Sequence, residues 1–172
     1  YFNWLDSRLD REIDKENIEG ELWSVHSGGF YNISKLKKPP KQFPKELHWF
    51  KWEAYATWIS GFVLLVIVYY LNAEGLMIDK NVSDISPITA IIISIIFLIG
   101  SWFVYDLLCK SKLINQTTLF TIICFSISIV ICYFLTRIYG SRAAYIHVGA
   151  GLGTIMALNV FRIIIPSQKN TV

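Results

Sequence analysis

The sequence predicts an all-α integral membrane protein of four transmembrane helices, preceded by an N-terminal cytoplasmic segment that contains a short β-hairpin. Two observations predict this class. Hydrophobic residues make up 53% of the chain and the mean hydropathy is +0.44, which is more than a soluble domain of this length can bury. The apolar residues are also gathered into four long stretches without charge, and only helices or closed barrels satisfy their backbone inside a bilayer.

Each of the four apolar stretches is long enough to cross a bilayer. A helix of about 20 residues spans a hydrocarbon core of roughly 30 Å, and continuous apolar runs exclude barrel strands, which would alternate. We predict transmembrane helices over about 54–72, 85–109, 113–138 and 143–165. In domain terms, the prediction is a cytoplasmic polar and aromatic segment at 1–52, a four-helix region at 53–165 and a cytoplasmic tail at 166–172.

The positive-inside bias orients these spans. Thirteen of the 16 Lys and Arg residues lie before the first span, between the second and third, or from the end of the fourth onward. The opposite side carries Lys80, Arg137 and Arg142, and its 73–86 loop is net acidic. We therefore expect both ends of this chain in the cytoplasm. The formal charge is only +3, and without a basic stripe it argues against a nucleic-acid partner.

The first residues predict a charged helix, because Leu5, Leu9 and Ile13 keep a four-residue spacing. The chain opens in aromatic residues without an initiating Met, which is typical of a helix that began upstream. We expect a fragment of a larger helical bundle, with additional helices upstream and downstream of this chain.

A β-hairpin is predicted next, since Gly28-Gly29 separates the β-prone runs 21–26 and 30–34. A basic, proline-rich linker follows at 35–41 and suits the anionic surface of the cytoplasmic leaflet. Pro44 then predicts the start of the first long helix, because proline is favoured at the first helical position.

His147 is an ionisable residue inside the fourth span, where such a side chain is costly and usually functional. Its helix has a small-residue face that allows close approach, made of Ala143, Ala150, Gly151, Thr154 and Ala157. One interpretation is a tight helix–helix contact in which a neighbour hydrogen-bonds His147. The other is an axial ligand to haem iron, with Arg142 and Arg137 near the propionates. The sequence leaves both interpretations open.

A second cluster is predicted at the cytoplasmic edge of the first span. His48, Trp52 and Tyr55 would share one helical face at i, i+4 and i+7. For the tryptophans, Trp49 among them, the alternative is an aromatic belt at headgroup depth. His48 is the member of this cluster that a belt does not explain.

Charged residues near the same edge suggest a polar pocket between helices. Glu53 begins the first apolar run, and Asp106 and Arg162 lie at the cytoplasmic ends of the second and fourth spans. Such a pocket suits an anionic heterocycle. His26, three residues after Trp23 on the predicted hairpin, is either an exposed loop residue or a ligand contact that its neighbouring glycines make accessible.

Three separated segments match one known family in the same order. They are Gly20-Glu-Leu-Trp-Ser-Val-His-Ser-Gly-Gly-Phe-Tyr31, Glu46-Leu-His-Trp-Phe-Lys-Trp-Glu-Ala-Tyr55 and Arg142-Ala-Ala-Tyr-Ile-His-Val-Gly-Ala-Gly-Leu-Gly-Thr-Ile-Met-Ala157. Over nearly its whole length the chain resembles the integral-membrane urate hydroxylases, the urate oxidase N-terminal domain family. Ser27 stands where the resemblance leads us to expect another glycine.

The resemblance implies oxidation of urate to 5-hydroxyisourate in the bacterial inner membrane, with electrons passed to cytochrome c. Urate would bind on the cytoplasmic side among His26, His48, Trp52 and Glu53, with a histidine or the glutamate as the base. Trp23, Asp106 and Arg162 are further candidates for contacts with urate. His147 and Arg142 would belong to the electron path if haem b is bound.

Members of this family begin with another apolar helix, continue with more helices beyond 166–169 and often end in a periplasmic cytochrome c domain. The cytochrome c haem is therefore expected in a missing domain or in a separate protein. Two functions of other classes remain open. One is a membrane subunit that binds b-type haem and carries electrons without urate chemistry, and the other is a non-redox transporter or binding protein.

Overall fold

The computed structural model describes residues 2–12, 16–44, 46–48 and 50–171. Within these residues the chain is mostly helical, with one two-stranded antiparallel sheet near its start. It divides into two compact units, Tyr1–His48 and Trp49–Val172. The first unit holds the sheet and the second holds the long helices.

The first unit begins with α1 (Phe2–Ser7), which ends earlier than the four-residue spacing predicts. Leu5 and Leu9 are both buried, but the helix ends at Ser7, and Asp10 and Glu21 exchange backbone hydrogen bonds of 2.8 and 3.0 Å. The spacing of these leucines therefore reflects burial against the hairpin and does not indicate a continuous helix. Ile13 lies outside the described residues.

The predicted hairpin is confirmed, as β1 (Ile18–His26) pairs antiparallel with β2 (Gly29–Leu36). Because His26 pairs with Gly29, the two-residue turn is Ser27-Gly28, one position earlier than Gly28-Gly29. Both turn residues have positive φ, 50° for Ser27 and 79° for Gly28, as in the type I′ turn that matches strand twist. Such a conformation costs a residue with a Cβ roughly 1–2 kcal/mol, which explains why glycine is expected in place of Ser27.

Gly20 allows the residues after α1 to approach the hairpin closely. A Cβ at Gly20 would lie 2.9 Å from the Cβ of Leu9 and 2.9 Å from the carbonyl oxygen of Asp10. Cβ atoms essentially never make contacts this short, so any side chain at Gly20 would push Leu9 and Asp10 away. Glycine is therefore needed at this point of the strand.

An ion-pair cluster joins α1 to both strands. Lys35 Nζ lies 2.6 Å from Asp6 Oδ1 and 3.0 Å from Glu19 Oε1. The hydrogen bond from Lys35 lowers the pKa of Asp6, and the bonds to Asp6 and Glu19 raise the pKa of Lys35. All three side chains are well exposed to solvent, so the cluster contributes little to stability.

In the part of the chain that the structure describes, four helices are long and apolar enough to cross a membrane. They match the four predicted spans, with ends that differ by a few residues. The first is α2 (Lys51–Leu65) with a π-helical turn (Val66–Tyr70), the second α4 (Pro87–Lys110), the third α5 (Thr117–Ile138), and the fourth α6 (Ser141–Asn159), a π-helical turn (Val160–Ile164) and α7 (Ile165–Thr171). Short connections contain α3 (Ala73–Leu76) and a 3-10 turn (Lys112–Asn115).

The helix ends follow local chemistry. At the start of α4, Ser86 Oγ accepts a hydrogen bond of 3.1 Å from the backbone N–H of Thr89, and Pro87 takes the first helical position. The fourth helix continues to Thr171, so the predicted tail at 166–172 is helical as far as it is described. Pro166 has no N–H to donate to the preceding turn, and the π-helical turn that ends at Ile164, two residues earlier, is the kind of local widening that accompanies such a residue.

The buried core of the second unit lies at one end of its helices, where α3, the start of α4, the end of α5 and the start of α6 meet. Its buried members are Ala73, Met77, Ala90, Leu135, Tyr139, Ala143 and Ala144. Elsewhere the helices expose large apolar side chains, and only 6% of the most apolar stretch of α5 is buried. The unit therefore presents an apolar exterior around a small core.

Candidate functional site

Trp23 and His26 lie on opposite faces of the hairpin. Both belong to β1, and side chains separated by three positions in a strand point to opposite sides. Each is exposed, Trp23 at 68%. The hairpin therefore does not direct these two predicted site residues toward one ligand.

His48 does not share a helical face with Trp52 and Tyr55. The predicted helix start near Pro44 is wrong, because α2 begins at Lys51, and His48 lies in irregular backbone before it. Phe50, the residue before α2, has a φ of 49°, a left-handed conformation that interrupts any helix running in from Pro44. Trp49 lies outside the described residues.

Trp52 and Tyr55 line a cleft between the start of α2 and the end of the fourth helix. The cleft has a volume of about 530 Å³, and its walls combine aromatic, cationic and amide side chains: Lys51, Trp52, Tyr55, Phe161, Ile165, Pro166, Lys169 and Asn170. The Tyr55 ring meets Trp52 edge-on at 5.9 Å between centroids and Phe161 at 5.8 Å. Lys51 Nζ lies 5.4 Å from the centre of the Trp52 ring, a distance at which the cation is attracted to the ring.

The other predicted pocket residues are held elsewhere. Asp106 pairs with Lys110 on its own helix at 2.5 Å, and the Arg162 guanidinium lies 5.4 Å from the centre of the Trp102 ring. Glu53 is exposed in the first turn of α2. Among the described residues, Glu53, Asp106 and Arg162 do not line the cleft. The cleft therefore has a lining different from that of the predicted anion pocket, and it shares only Trp52 with the residues predicted to contact urate.

His147 is completely buried between α4, α6 and the end of the first helix. Its Nδ1 lies 2.7 Å from the carbonyl oxygen of Ala143, and its Nε2 lies 2.6 Å from Ser94 Oγ. Tyr70, in the π-helical turn, places its hydroxyl 2.6 Å from the same Ser94 oxygen. The two nitrogens of His147 are both engaged by the protein.

The proton positions in the series of hydrogen bonds from Tyr70 through Ser94 to His147 follow from which groups can donate. A carbonyl oxygen only accepts, so Nδ1 of His147 carries the proton and donates to Ala143. In the neutral ring Nε2 then accepts from Ser94, and Ser94 Oγ accepts from the Tyr70 hydroxyl. Tyr70, Ser94 and His147 therefore each have a hydrogen-bond partner, which is what a buried polar group requires.

Tyr139 packs on the histidine ring and closes the site. The two rings stack with centroids 4.6 Å apart and planes 17° from parallel, and the Tyr139 hydroxyl donates to the Ala90 carbonyl at 2.8 Å. Tyr139 is itself completely buried. One face of the imidazole is therefore covered by an aromatic ring.

The small-residue face of α6 receives side chains of neighbouring helices. A Cβ at Gly151 would lie 2.7 Å from Phe97 Cζ, which shows how closely α4 approaches. Trp58 Nε1 donates to Thr154 Oγ1 at 3.0 Å, which joins α2 to α6. This arrangement fits the helix–helix interpretation of the small-residue face.

These residues do not fit a haem in this arrangement. Nε2 of His147, the atom that would bind iron, is held by Ser94, and the volume beside Gly151 is filled by Phe97. Arg142 is exposed in the first turn of α6.

Sequence reasoning missed Tyr70, Ser94 and Tyr139. Ser94 gave a weak signal, since it is a polar residue within an apolar span, but serine in a membrane helix is commonly satisfied by its own backbone. Trp102 was also missed. Its Nε1 is buried without a hydrogen-bond partner among the described residues, beside Arg162.

The fold and these sites define a mostly helical protein with four apolar helices of membrane-spanning length and a short N-terminal sheet. The chain belongs to the urate oxidase N-terminal family, whose model matches residues 1–172. Membership suggests a urate-related enzyme of the oxidoreductase type. No curated protein and no solved structure matches the chain.

Proposed function

We propose that this protein is a multi-pass enzyme of the bacterial inner membrane that oxidises urate to 5-hydroxyisourate and passes the electrons to cytochrome c. The observation that carries the proposal is the family match over residues 1–172. In this reaction the urate anion and one water yield 5-hydroxyisourate, two electrons and one proton. A base must take the proton, and a separate acceptor must take the electrons.

Two observations support a location in the membrane. The four apolar helices expose large apolar side chains along their length. Soluble proteins rarely expose so large an apolar area to water. The positively charged residues gather at the ends and connections that the positive-inside rule assigns to the cytoplasm. Both ends of this chain are then cytoplasmic, and further helices of a larger bundle would cover part of the exposed surface.

The same orientation brings the cleft at Trp52 to the cytoplasmic side, where purine breakdown supplies urate. The candidates for the base are His26, His48 and Glu53, each of which can accept a proton. Of the predicted contacts with urate, Trp52 lines this cleft, whereas Asp106 and Arg162 do not. The acceptor haem belongs to cytochrome c, either as a further domain or as a separate protein on the periplasmic side.

The proposal is tested in membranes that contain the protein, by following urate-dependent reduction of added cytochrome c and formation of 5-hydroxyisourate. Removal of a general base slows turnover by a factor of roughly 10² to 10⁴, so His48→Ala should lose activity if His48 is that base. Lys112→Gln, an exposed change in a connection of the second unit, is the matched control. Urate uptake without oxidation would contradict the proposal and favour a transporter.

A further inference from the structure

The cleft between α2 and the end of the fourth helix brings together residues that are far apart in the chain. Lys51, Trp52 and Tyr55 come from one helix, and Phe161, Lys169 and Asn170 come from the other. Its volume of about 530 Å³ lies within the range of roughly 300–1,000 Å³ that is typical of small-molecule sites. The cleft is therefore large enough for a bicyclic ligand.

The aromatic side chains favour a flat ligand. Tyr55 meets Trp52 and Phe161 with interplanar angles of 80° and 76°, and all three rings line the cleft. Trp52 is 69% exposed and Phe161 is 58% exposed, which leaves ring surface available for stacking. A planar heterocycle stacks on such surfaces more favourably than an aliphatic ligand of the same size.

Among the described residues that line the cleft, the charged side chains are two cations, Lys51 and Lys169, and there is no carboxylate. An ammonium group is a flexible point charge that neutralises a delocalised anion without imposing a fixed geometry. Asn170 adds an amide, which can donate to a ring carbonyl and accept from a ring N–H at the same time. Purines that carry oxo groups alternate these two functions along their edges.

We propose that this cleft binds a planar purine anion, with Lys51 and Lys169 as the counter-charges, Trp52, Tyr55 and Phe161 as stacking surfaces, and Asn170 reading the polar edge. The inference rests on the proposed function for the choice of a purine as the ligand and of urate as the probe. It assigns the binding of the anion to lysines and aromatic residues, whereas the base remains a separate group.

The test measures binding without turnover. Equilibrium dialysis with radiolabelled urate is carried out on the protein in nanodiscs of zwitterionic lipid. Lys51→Gln and Lys169→Gln should each weaken binding about 2- to 5-fold, and the double variant about 10-fold, because each lysine interacts with the anion in a partly solvated setting. Lys112→Gln, which removes the same charge outside the cleft, should leave the affinity unchanged.

Two further arms identify the ligand class. Phe161→Leu should weaken urate binding more than Phe125→Leu, a change at an exposed ring of α5 outside the cleft. Hypoxanthine, a neutral purine, should bind more weakly than urate to the wild-type protein and should lose little affinity in the double lysine variant. Asn170→Ala should weaken the binding of both purines.

The inference is overturned if the double lysine variant binds urate as the wild-type protein does. It is also overturned if the lysine changes reduce only the affinity for vesicles containing phosphatidylglycerol, since the cleft would then hold a lipid headgroup. The proposed function fails separately. Urate binding that depends on the lysines, without any reduction of cytochrome c, would support the cleft as the binding site and contradict the proposed oxidation. Turnover with an unchanged KM in the double lysine variant would support the oxidation and contradict the cleft.

Discussion

Ser94 Oγ on α4 lies 2.6 Å from Nε2 of His147 on α6, and the two residues are 53 positions apart in the chain. In the neutral imidazole, Nδ1 donates to the Ala143 carbonyl and Nε2 accepts from Ser94. Tyr70 then donates to Ser94. A neutral imidazole inside an apolar bundle thus has both of its nitrogens satisfied by hydrogen bonds that run in one direction.

Ser94→Ala should destabilise the protein by about 1–3 kcal/mol, because it leaves Nε2 of His147 and the Tyr70 hydroxyl without their shared partner in a buried position. The measurement is thermal melting followed by circular dichroism in detergent. Ser101→Ala is the control, since in the described part of the chain Ser101 Oγ bonds the Leu98 carbonyl of its own helix and no other helix. Equal melting temperatures for both variants would show that the Ser94 contact is not stabilising.

His147→Ala should lower the free energy of unfolding by about 2 kcal/mol or more, and with it the melting temperature. It should leave the visible spectrum unchanged. The variant removes a ring that is packed against Tyr139 and hydrogen-bonded on both sides. The spectrum of the purified protein and its melting curve are recorded on the same sample. Loss of a Soret band in the variant would contradict the helix–helix role and support a haem ligand.

Gly151→Ala should destabilise the protein by about 1–3 kcal/mol, since the new methyl group would meet Phe97 at 2.7 Å. Gly153→Ala, on the same helix, has no neighbour within 4 Å, and we expect it to be neutral or stabilising by up to about 1 kcal/mol. Phe97→Leu should partly restore stability in the Gly151→Ala background. Equal effects of the two glycine changes would show that α4 and α6 are not in close contact.

Ser27→Gly should stabilise the hairpin by about 0.5–1 kcal/mol, because glycine relieves the left-handed strain at φ 50°. Glycine also raises the entropy of the unfolded chain, which cancels part of this gain. Gly28→Ala, at φ 79°, should have the opposite effect. Hydrogen exchange of the amides in β1 and β2 measures both changes. Faster exchange in Ser27→Gly would rule out the assigned turn.

A cysteine at Val82, exposed in the connection between the first and second helices, should react with an impermeant thiol reagent from the periplasm. Lys38→Cys in the first unit should stay protected in intact cells. Both variants are made after Cys109, Cys124 and Cys132 are replaced by serine. The expectation follows from the positive-inside bias, and labelling of Lys38→Cys from outside would invert the topology and separate the cleft from cytoplasmic urate.

The sequence alone determined the features that depend on short stretches of chain. Four charge-poor runs of membrane-spanning length predict four helices, because the length of an apolar run must match the thickness of the bilayer. Two β-prone runs around a glycine turn predict the hairpin, because turn chemistry is local. The motifs around His26, His48 and His147 indicate the family, which the match over residues 1–172 bears out.

The tertiary structure decided which side chains meet. Trp58 bonds Thr154 across 96 positions of the chain, and no periodicity within one helix specifies how it rotates against another. His48 does not lie on the helical face of Trp52, because α2 begins only at Lys51. Helix propensity does not predict the left-handed conformation of Phe50 that precedes this start. The cleft likewise depends on how the start of α2 packs against the end of the fourth helix. The sequence alone does not specify this packing, so it did not predict that Lys51 and Lys169 line one cleft.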